Sequence, residues 1–279
     1  MTDARRLVDE ELPVRRIAIL LAVAAAAVAA LSPAVYSVSP STGRQSGADY
    51  RLLQTNLCLS GQAGCYSPAT HQSILDEATA QIADLDPDAV TLNEVCSADV
   101  AELARRAGYE LSFAAVDYGG TPLPCIDPRG RGLFGIAVLT KDAIRTSRDR
   151  AFTVQADPEE RRWLCANTAG AVTVCTAHLS TRDSSGERVA NDAECRELRD
   201  VLAEHANLRT TFFGGDVNRQ TACAPTTMWA THDAAATQSA GLQHIYGSRS
   251  VDGPSASIVE ATYTDHDFLL AAALSSPER

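Results

Sequence analysis

The chain has 279 residues, of which 45% are hydrophobic, 5% aromatic and 21% charged. That length holds one large domain or two small ones, and the composition excludes a disordered or fibrous protein in favour of a globular α/β one. The formal net charge is −11, which excludes a protein that coats nucleic acid through Lys and Arg at phosphates but not an enzyme that meets a phosphate ester in a local basic or metal-lined cleft.

In chain order, the first element is a targeting segment. Arg15 and Arg16 precede an uncharged apolar run over residues 17–31, and Ser32, Pro33 and Ala34 follow it. Basic flank, apolar run and small-residue exit are the layout of a secretory signal. The low-polarity stretch reaches about Val38, so an uncleaved membrane anchor is the alternative. Residues 37–47, rich in Ser, Gly and Pro, read as a linker. A single domain is expected over 48–279.

Within that domain, short apolar runs over 50–57, 89–95, 135–140, 172–178, 210–216 and 268–273 read as buried strands. Between them, Ile74, Leu75, Ala78, Ile82 and Leu85 recur at the 3.6-residue period and predict a helix over 71–85. A short helix over 100–107 ends at Gly108. A third covers 188–206, with Val189, Ala193, Leu198, Val201 and Leu202 near one face. Helices and strands alternate early and strands crowd together later, which favours sheets packed on each other over a doubly wound parallel sheet.

Eight cysteines all follow the apolar run, and an even count outside the cytosol points to disulfides. The short-range pairings are Cys58–Cys65, Cys96–Cys125, Cys165–Cys175 and Cys195–Cys223. The third is the best argued, because Leu164 and Val174 lie in two apolar runs joined by a hairpin signal at 167–170. No paired C-x-x-C spacing supports a zinc site.

The strands end on polar residues. Asn56 closes the first run, Glu94 the second and His178 the fourth. Asp216 and Asn218 follow two glycines, and Asp265 and His266 stand just before the last strand. Taken singly, each has an ordinary explanation: a turn Asn, a solvated carboxylate, a hydrogen-bonding His, a Gly-Asp-x-Asn turn, a surface Asp-His pair. Taken together, the set is oxygen-rich and thiol-free, as suits a hard divalent cation beside acid–base groups.

The ordered pieces Q-T-N (54–56), L-N-E-V (92–95), G-I-A-V-L-T (135–140), T-A-H-L (176–179), G-G-D-V-N (214–218) and T-D-H-D-F (264–268) resemble the endonuclease/exonuclease/phosphatase superfamily, with its deoxyribonuclease-I-like fold. The resemblance implies a four-layer α/β/β/α sandwich, two packed mixed sheets flanked by helices, with one composite site at the sheet edge. It implies Mg2+, or Mn2+ or Ca2+, held by Glu94 with help from Asn56 and Asp265. It also implies Asp216 as the base for the attacking water, Asn218 as a phosphoryl-oxygen donor, and His178 and His266 as imidazole contacts to the phosphate. The sequence departs at Gln243, where many members carry an acid that buttresses the catalytic histidine. Asp265 and Asp267 are the neighbouring carboxylates that would substitute.

The expected function is hydrolysis of a phosphate ester outside the cytoplasm, with the protein secreted or anchored at its N-terminus. Nucleic acid is the first-choice substrate and a monomer is expected. A sphingomyelinase-like phospholipid phosphodiesterase and a phosphomonoesterase are alternatives within the fold. A binding module without turnover is the alternative of another class, supported by Gln243 alone.

Overall fold

The apolar runs become the inner strands of two facing sheets. The computed structural model describes residues 49–63, 70–156, 158–182, 186–250 and 253–274. The targeting segment and linker lie outside these residues, as does Cys65 of the expected Cys58–Cys65 pair.

Strand β1 (Asp49–Asn56) leads through α1 (His71–Leu85) to β2 (Ala89–Cys96), and α2 (Ser97–Ala107) follows directly. Then come β3 (Glu110–Ala115), the small hairpin of β4 (Asp117–Tyr118) and β5 (Thr121–Pro122), β6 (Phe134–Thr140), β7 (Ile144–Ala151), β8 (Arg162–Thr168) and β9 (Val172–Ala177). Helix α3 (Val189–Leu208) leads to β10 (Thr210–Asp216), β11 (Met228–His232), β12 (Gln243–Ser248), β13 (Ser255–Val259) and β14 (Phe268–Leu274). One sheet has the order β13-β14-β1-β2-β6-β3 and the other β11-β12-β10-β9-β8-β7.

Each sheet contains one parallel pair near its centre, β1 with β2 and β9 with β10, and its other neighbours are antiparallel. A parallel pair needs a crossover, and a helix supplies it: α1 in the first sheet and α3 in the second. The expected 71–85 helix has those bounds. Thr70 caps it by accepting from the Ser73 N–H at 3.2 Å, and Asp86 ends it in the left-handed region. The second helix starts at Ser97, earlier than its apolar pattern suggests, because the extended Cys96 hands β2 directly into it.

Three apolar layers separate the four structural ones. Ile74, Leu75, Ala78 and Ile82 of α1 and Val100 and Leu103 of α2 pack with Leu53, Leu92 and Leu139 on the outer face of the first sheet. Cys195, Leu198 and Leu202 of α3 pack with Phe213 and Tyr246 outside the second. Between the sheets lie Leu52, Val138, Leu164, Val174, Phe212 and Leu269, where Tyr50 stacks on Phe212 with ring centroids 4.4 Å apart. The α/β/β/α sandwich implied by the sequence is the observed architecture.

Disulfides join Cys96 to Cys125, Cys165 to Cys175 and Cys195 to Cys223. The second links residues directly opposite in the β8–β9 ladder, as the hairpin signal implied. The third ties α3 to the loop after β10.

Toward one end the inter-sheet layer changes from apolar to polar, and glycine lets the sheets close there. A Cβ on Gly214 would stand 2.1 Å from Thr91 Oγ1 and 3.2 Å from Gln54 Cβ, both on the opposite sheet. Thr91 cannot readily give way, because its hydroxyl donates to Gln54 Oε1 at 2.7 Å. Overpacking of this kind typically destabilises by about 1–3 kcal/mol, so Gly214→Ala is expected to lower the stability measured by urea unfolding by that amount, with the slope of the transition unchanged.

Candidate active site

The polar end of the sandwich is where the parallel pairs run out. Asn56 ends β1, Glu94 lies near the end of β2, His178 follows β9 and Asp216 ends β10. Two parallel pairs facing each other thus deliver four candidate site residues to one edge.

Glu94 is aimed there by a break in its strand. The β2–β6 register shifts between Leu92 and Val95, and Glu94 has φ 53°. Such a bulge turns one side chain out of the alternation. Asn218, two residues beyond Asp216, has φ 52°, and its N–H donates to Asp216 Oδ1 at 2.9 Å. Left-handed backbone at non-glycine residues persists only where the surroundings hold it.

Asn56 joins the two carboxylates. Its Nδ2 donates to Glu94 Oε1 at 2.9 Å and to Asp216 Oδ2 at 3.1 Å, while its Oδ1 accepts from the Cys58 N–H at 3.0 Å. An amide nitrogen has no lone pair for a cation. In this rotamer Asn56 therefore organises the carboxylates, and a half-turn of its amide is needed to present its oxygen to a metal. His178 Nε2 lies 3.8 Å from Glu94 Oε1 and 3.9 Å from Asp216 Oδ2, and His266 Nε2 lies 3.6 Å from the same Asp216 oxygen. These separations exceed hydrogen-bond length. They leave Glu94, Asp216 and both imidazoles converging on a common point.

Burial pushes the Glu94 carboxyl up to about 7, against the Asn56 hydrogen bond and the Arg161 charge, which pull it down. Burial also raises Asp216, against His266 and the Asn56 and Asn218 hydrogen bonds. The His178 imidazole is held well below its usual range by burial first, then by Arg161 and His266.

Arg161 was not singled out in the sequence. Its Nη1 lies 2.8 Å from His178 Nδ1 and 2.9 Å from Glu159 Oε1. A guanidinium can only donate, so Nδ1 accepts and the ring proton sits on Nε2, facing the carboxylates. Sequence offered one weak signal: adjacent arginines stand at the start of a strand that is otherwise mostly buried.

Asn218 Nδ2 donates to the Leu179 carbonyl at 2.8 Å, so its side chain ties the loop after β9 to the loop after β10. Asn191 of α3 reinforces this link by donating to the Ser180 and Val217 carbonyls. Asp265 is exposed, and among the described residues no hydrogen bond joins it to Glu94 or Asp216. The loop that carries it is pinned by Thr264 Oγ1, which donates to the Asn56 carbonyl at 3.0 Å.

The histidine buttress differs from expectation. Among the described residues no hydrogen bond joins Gln243 to His266. Its Oε1 accepts from Asn56 N–H at 2.9 Å and Gln54 Nε2 at 3.3 Å, and its Nε2 donates to the Asp267 carbonyl at 2.6 Å. The Asp267 carboxylate is committed to Thr237 and the Ala261 N–H, so it is no substitute acid. Behind Gln243 lies a carboxylate that sequence reading missed. Asp233 is fully buried and accepts from the Gln243 N–H at 3.1 Å. Burial raises its pKa, while Gln243 and His266 pull it down. Among the described residues His266 Nδ1 is buried without a hydrogen-bond partner.

The donor set fits a hard divalent cation: two carboxylates whose charge burial disfavours, an amide that joins them, and no thiol. Elsewhere Cys165, Cys175 and His205 bring donor atoms together, but the two sulfurs are bonded to each other and offer no thiolate.

All of this hangs on Asn93, which is fully buried. Its Oδ1 accepts from the Asp216 N–H and from Gln54 Nε2, both at 2.8 Å, and its Nδ2 donates to Thr176 Oγ1 and the Ala177 carbonyl. Each buried donor left unpaired costs about 1–3 kcal/mol. Asn93→Ala is therefore expected to destabilise the protein by about 2–5 kcal/mol in urea unfolding, more than truncation of an exposed Asn.

Comparison with known proteins gives a consistent result. A family model described as "Endonuclease/Exonuclease/phosphatase family" matches residues 69–266, well over half of the chain. That span includes Glu94, His178, Asp216, Asn218, Asp265 and His266, and it begins after Asn56. An endonuclease/exonuclease/phosphatase from Beutenbergia cavernae superposes with a TM-score of 0.64 at 17% identity, covering 82% of this chain and 72% of its own. Truncated Caenorhabditis elegans TDP2 gives 0.59 at 15% identity, with 81% and 98% covered. The human nocturnin catalytic domain, solved with a bound sulfate anion, gives 0.60 at 16% identity, with 81% and 93% covered. No curated protein matches the chain in sequence.

Proposed function

The chain belongs to the endonuclease/exonuclease/phosphatase family, and from that premise we propose that it is an exported, divalent-metal-dependent phosphodiesterase that acts on nucleic acid. Family members are typically hydrolases of phosphoester bonds and generally use divalent metals. The observation that carries the proposal is the convergence of Glu94, His178, Asp216 and His266 at one sheet edge. That a nocturnin domain binds a sulfate anion supports a tetrahedral oxyanion as the ligand of this fold. Three disulfides support an oxidising compartment. Among the described residues no helix is long and apolar enough to cross a membrane.

A bound Mg2+, or Mn2+ or Ca2+, would neutralise charge on the phosphoryl oxygens, with Glu94 as its main ligand and Asp265 and the Asn56 oxygen as further ones. The chain's own groups do the rest. Asp216 takes the proton of the attacking water, and its raised pKa makes it a better base than an exposed aspartate. Neutral His178, its tautomer set by Arg161, offers Nε2–H to a phosphoryl oxygen. Asn218 holds the loop that orients Asp216, and its amide is the further phosphoryl donor. As the new oxygen–phosphorus bond forms and the leaving oxygen departs, His266 Nε2–H supplies that oxygen's proton.

The test is turnover of DNA, RNA, sphingomyelin and bis-p-nitrophenyl phosphate by the purified mature chain. Magnesium-dependent cleavage of nucleic acid, abolished by chelator, is expected. Asp216→Ala and His266→Ala are each expected to lower kcat by about 10²-fold or more. Full turnover by both variants would remove the mechanism, cleavage of sphingomyelin alone would replace the substrate, and no turnover at all would favour a binding module. Metal binding has its own readout. Magnesium is expected to raise the wild-type thermal midpoint by a few degrees through preferential binding to the folded state, and Glu94→Gln is expected to lose that gain.

A further inference from the structure

Beside the active site the surface opens into a cavity of about 330 Å³ lined by Arg182, Arg188, Arg219, Gln220, Thr221 and Leu242. Three of these are arginines and none is acidic, in a chain whose formal net charge is −11. Like charges in one cavity repel each other unless something else brings them together.

The cavity abuts the catalytic loops. The Arg188 guanidinium donates to the Asn218 carbonyl, and Arg219 is the next residue along the chain. The Leu242 carbonyl accepts from the Val217 N–H at 2.9 Å, and Gln243 follows it. Arg219 is held in place by Asp192 Oδ1 at 2.7 Å, Asn191 Oδ1 at 3.1 Å and Thr221 Oγ1 at 2.8 Å. Arg182 is exposed and donates to the Gly186 carbonyl at 2.8 Å. Arg188 also stands at the head of α3, where no side-chain hydrogen bond caps the helix, so the positive end of the helix dipole adds to the same potential. Burial, Arg182 and Arg219 all depress the Arg188 pKa, with Asp192 partly opposing them. A bound anion would relieve that repulsion.

We propose that this cavity is a second-phosphate subsite, which takes the phosphodiester next to the scissile one in a nucleic-acid strand. This rests on the phosphodiesterase reading for what occupies the neighbouring site. Guanidinium forks match phosphate oxygens in pairs. Arg188 and Arg219 adjoin Asn218, so a strand seated with one phosphate at Asp216 and His266 and running past Asn218 would bring its next phosphate to them. An ester with a single phosphate has nothing for this cavity to hold. The subsite also accounts for how an acidic protein engages a polyanion: three guanidinium groups at one cleft, one of them paired with Asp192, outweigh a diffuse negative surface at short range.

The test is equilibrium binding of short fluorescent single-stranded DNA to the full chain in chelator, read by anisotropy across a salt series. Arg182 is exposed, so Arg182→Gln leaves the fold intact, as an unchanged thermal midpoint will show. The affinity of Arg182→Gln is expected to fall by roughly tenfold, and its log–log salt slope by about 0.7, the loss of one phosphate contact on a single strand. Arg182→Gln/Arg219→Gln is expected to double the slope change. DNA with a neutral methylphosphonate backbone is expected to bind weakly and to ignore both substitutions. Unchanged affinity and slope would overturn the proposal, as would an equal loss on the neutral strand. Displacement of the strand by equimolar inorganic phosphate would overturn it too, by marking a free-anion site. Hydrolysis of bis-p-nitrophenyl phosphate by the wild type with magnesium reads the phosphodiesterase assignment separately. Turnover with no loss of DNA binding in the variants removes the subsite alone, and loss of binding without turnover removes the phosphodiesterase alone.

Discussion

The structure depends on a buried polar seam that sets the register of one sheet against the other. Apolar packing between sheets is non-directional and tolerates sliding, so it cannot by itself hold groups from both sheets to the tolerance a site requires. At the polar end Gln54, Thr91 and Asn93 of the first sheet bond to one another and reach Thr176, Ala177, Asp216 and Gln243 of the second. Every hydrogen-bonding position of the Asn93 amide is used. Buried polar networks stabilise when satisfied and are costly when partly satisfied, so this seam admits one register. Gly214 is its counterpart, since only hydrogen fits where Thr91 and Gln54 meet β10.

With the register set, topology does the rest. Parallel pairing sends β1 and β2 in one direction and β9 and β10 in one direction, so four strand ends fall on the same edge and carry Asn56, Glu94, His178 and Asp216 with them. The finer aim comes from backbone that departs from ideal geometry. Glu94 leaves the alternation of β2 at a bulge, and Asn218 adopts a left-handed turn that points its N–H back at Asp216. Both distortions are held by the seam and by α3, whose Asn191 bridges the loops after β9 and β10.

Much of this was legible in the sequence because burial on both faces makes a strand a continuous apolar run. The central strands β1, β2, β6, β9, β10 and β14 could be read that way, and the first five carried a polar residue at or near their ends. Helix α1 carried a periodic face. The peripheral strands carried no such mark. Strand β7 is I-R-T-S-R-D-R-A with six consecutive exposed residues, so nothing alternates, and β11 and β13 are short and part-exposed. In the site, residues standing at strand ends in motif order were visible. Those that act from between elements were not: Arg161 precedes its strand, Asp233 follows an edge strand, and Arg182, Arg188 and Arg219 meet only in three dimensions. Gln243 was visible as a departure, but its partners were misjudged because a sequence motif does not say which way an amide points.

Gln243 and Asp233 are best understood together. An acid at position 243 would face the Asp233 carboxylate across a fully buried boundary, since Gln243 Nε2 lies 3.4 Å from Asp233 Oδ2. Two carboxylates that close in a dry site cannot both ionise. An aspartate at 243 would also lose the amide N–H that reaches the Asp267 carbonyl and the reach that serves Asn56 and Gln54. The amide instead extends the polar seam to the loop bearing His266, while the negative charge retreats one layer to Asp233. From there it is coupled to His266 through the field rather than through a hydrogen bond. The departure at 243 therefore moves the acid and leaves the logic of the site standing.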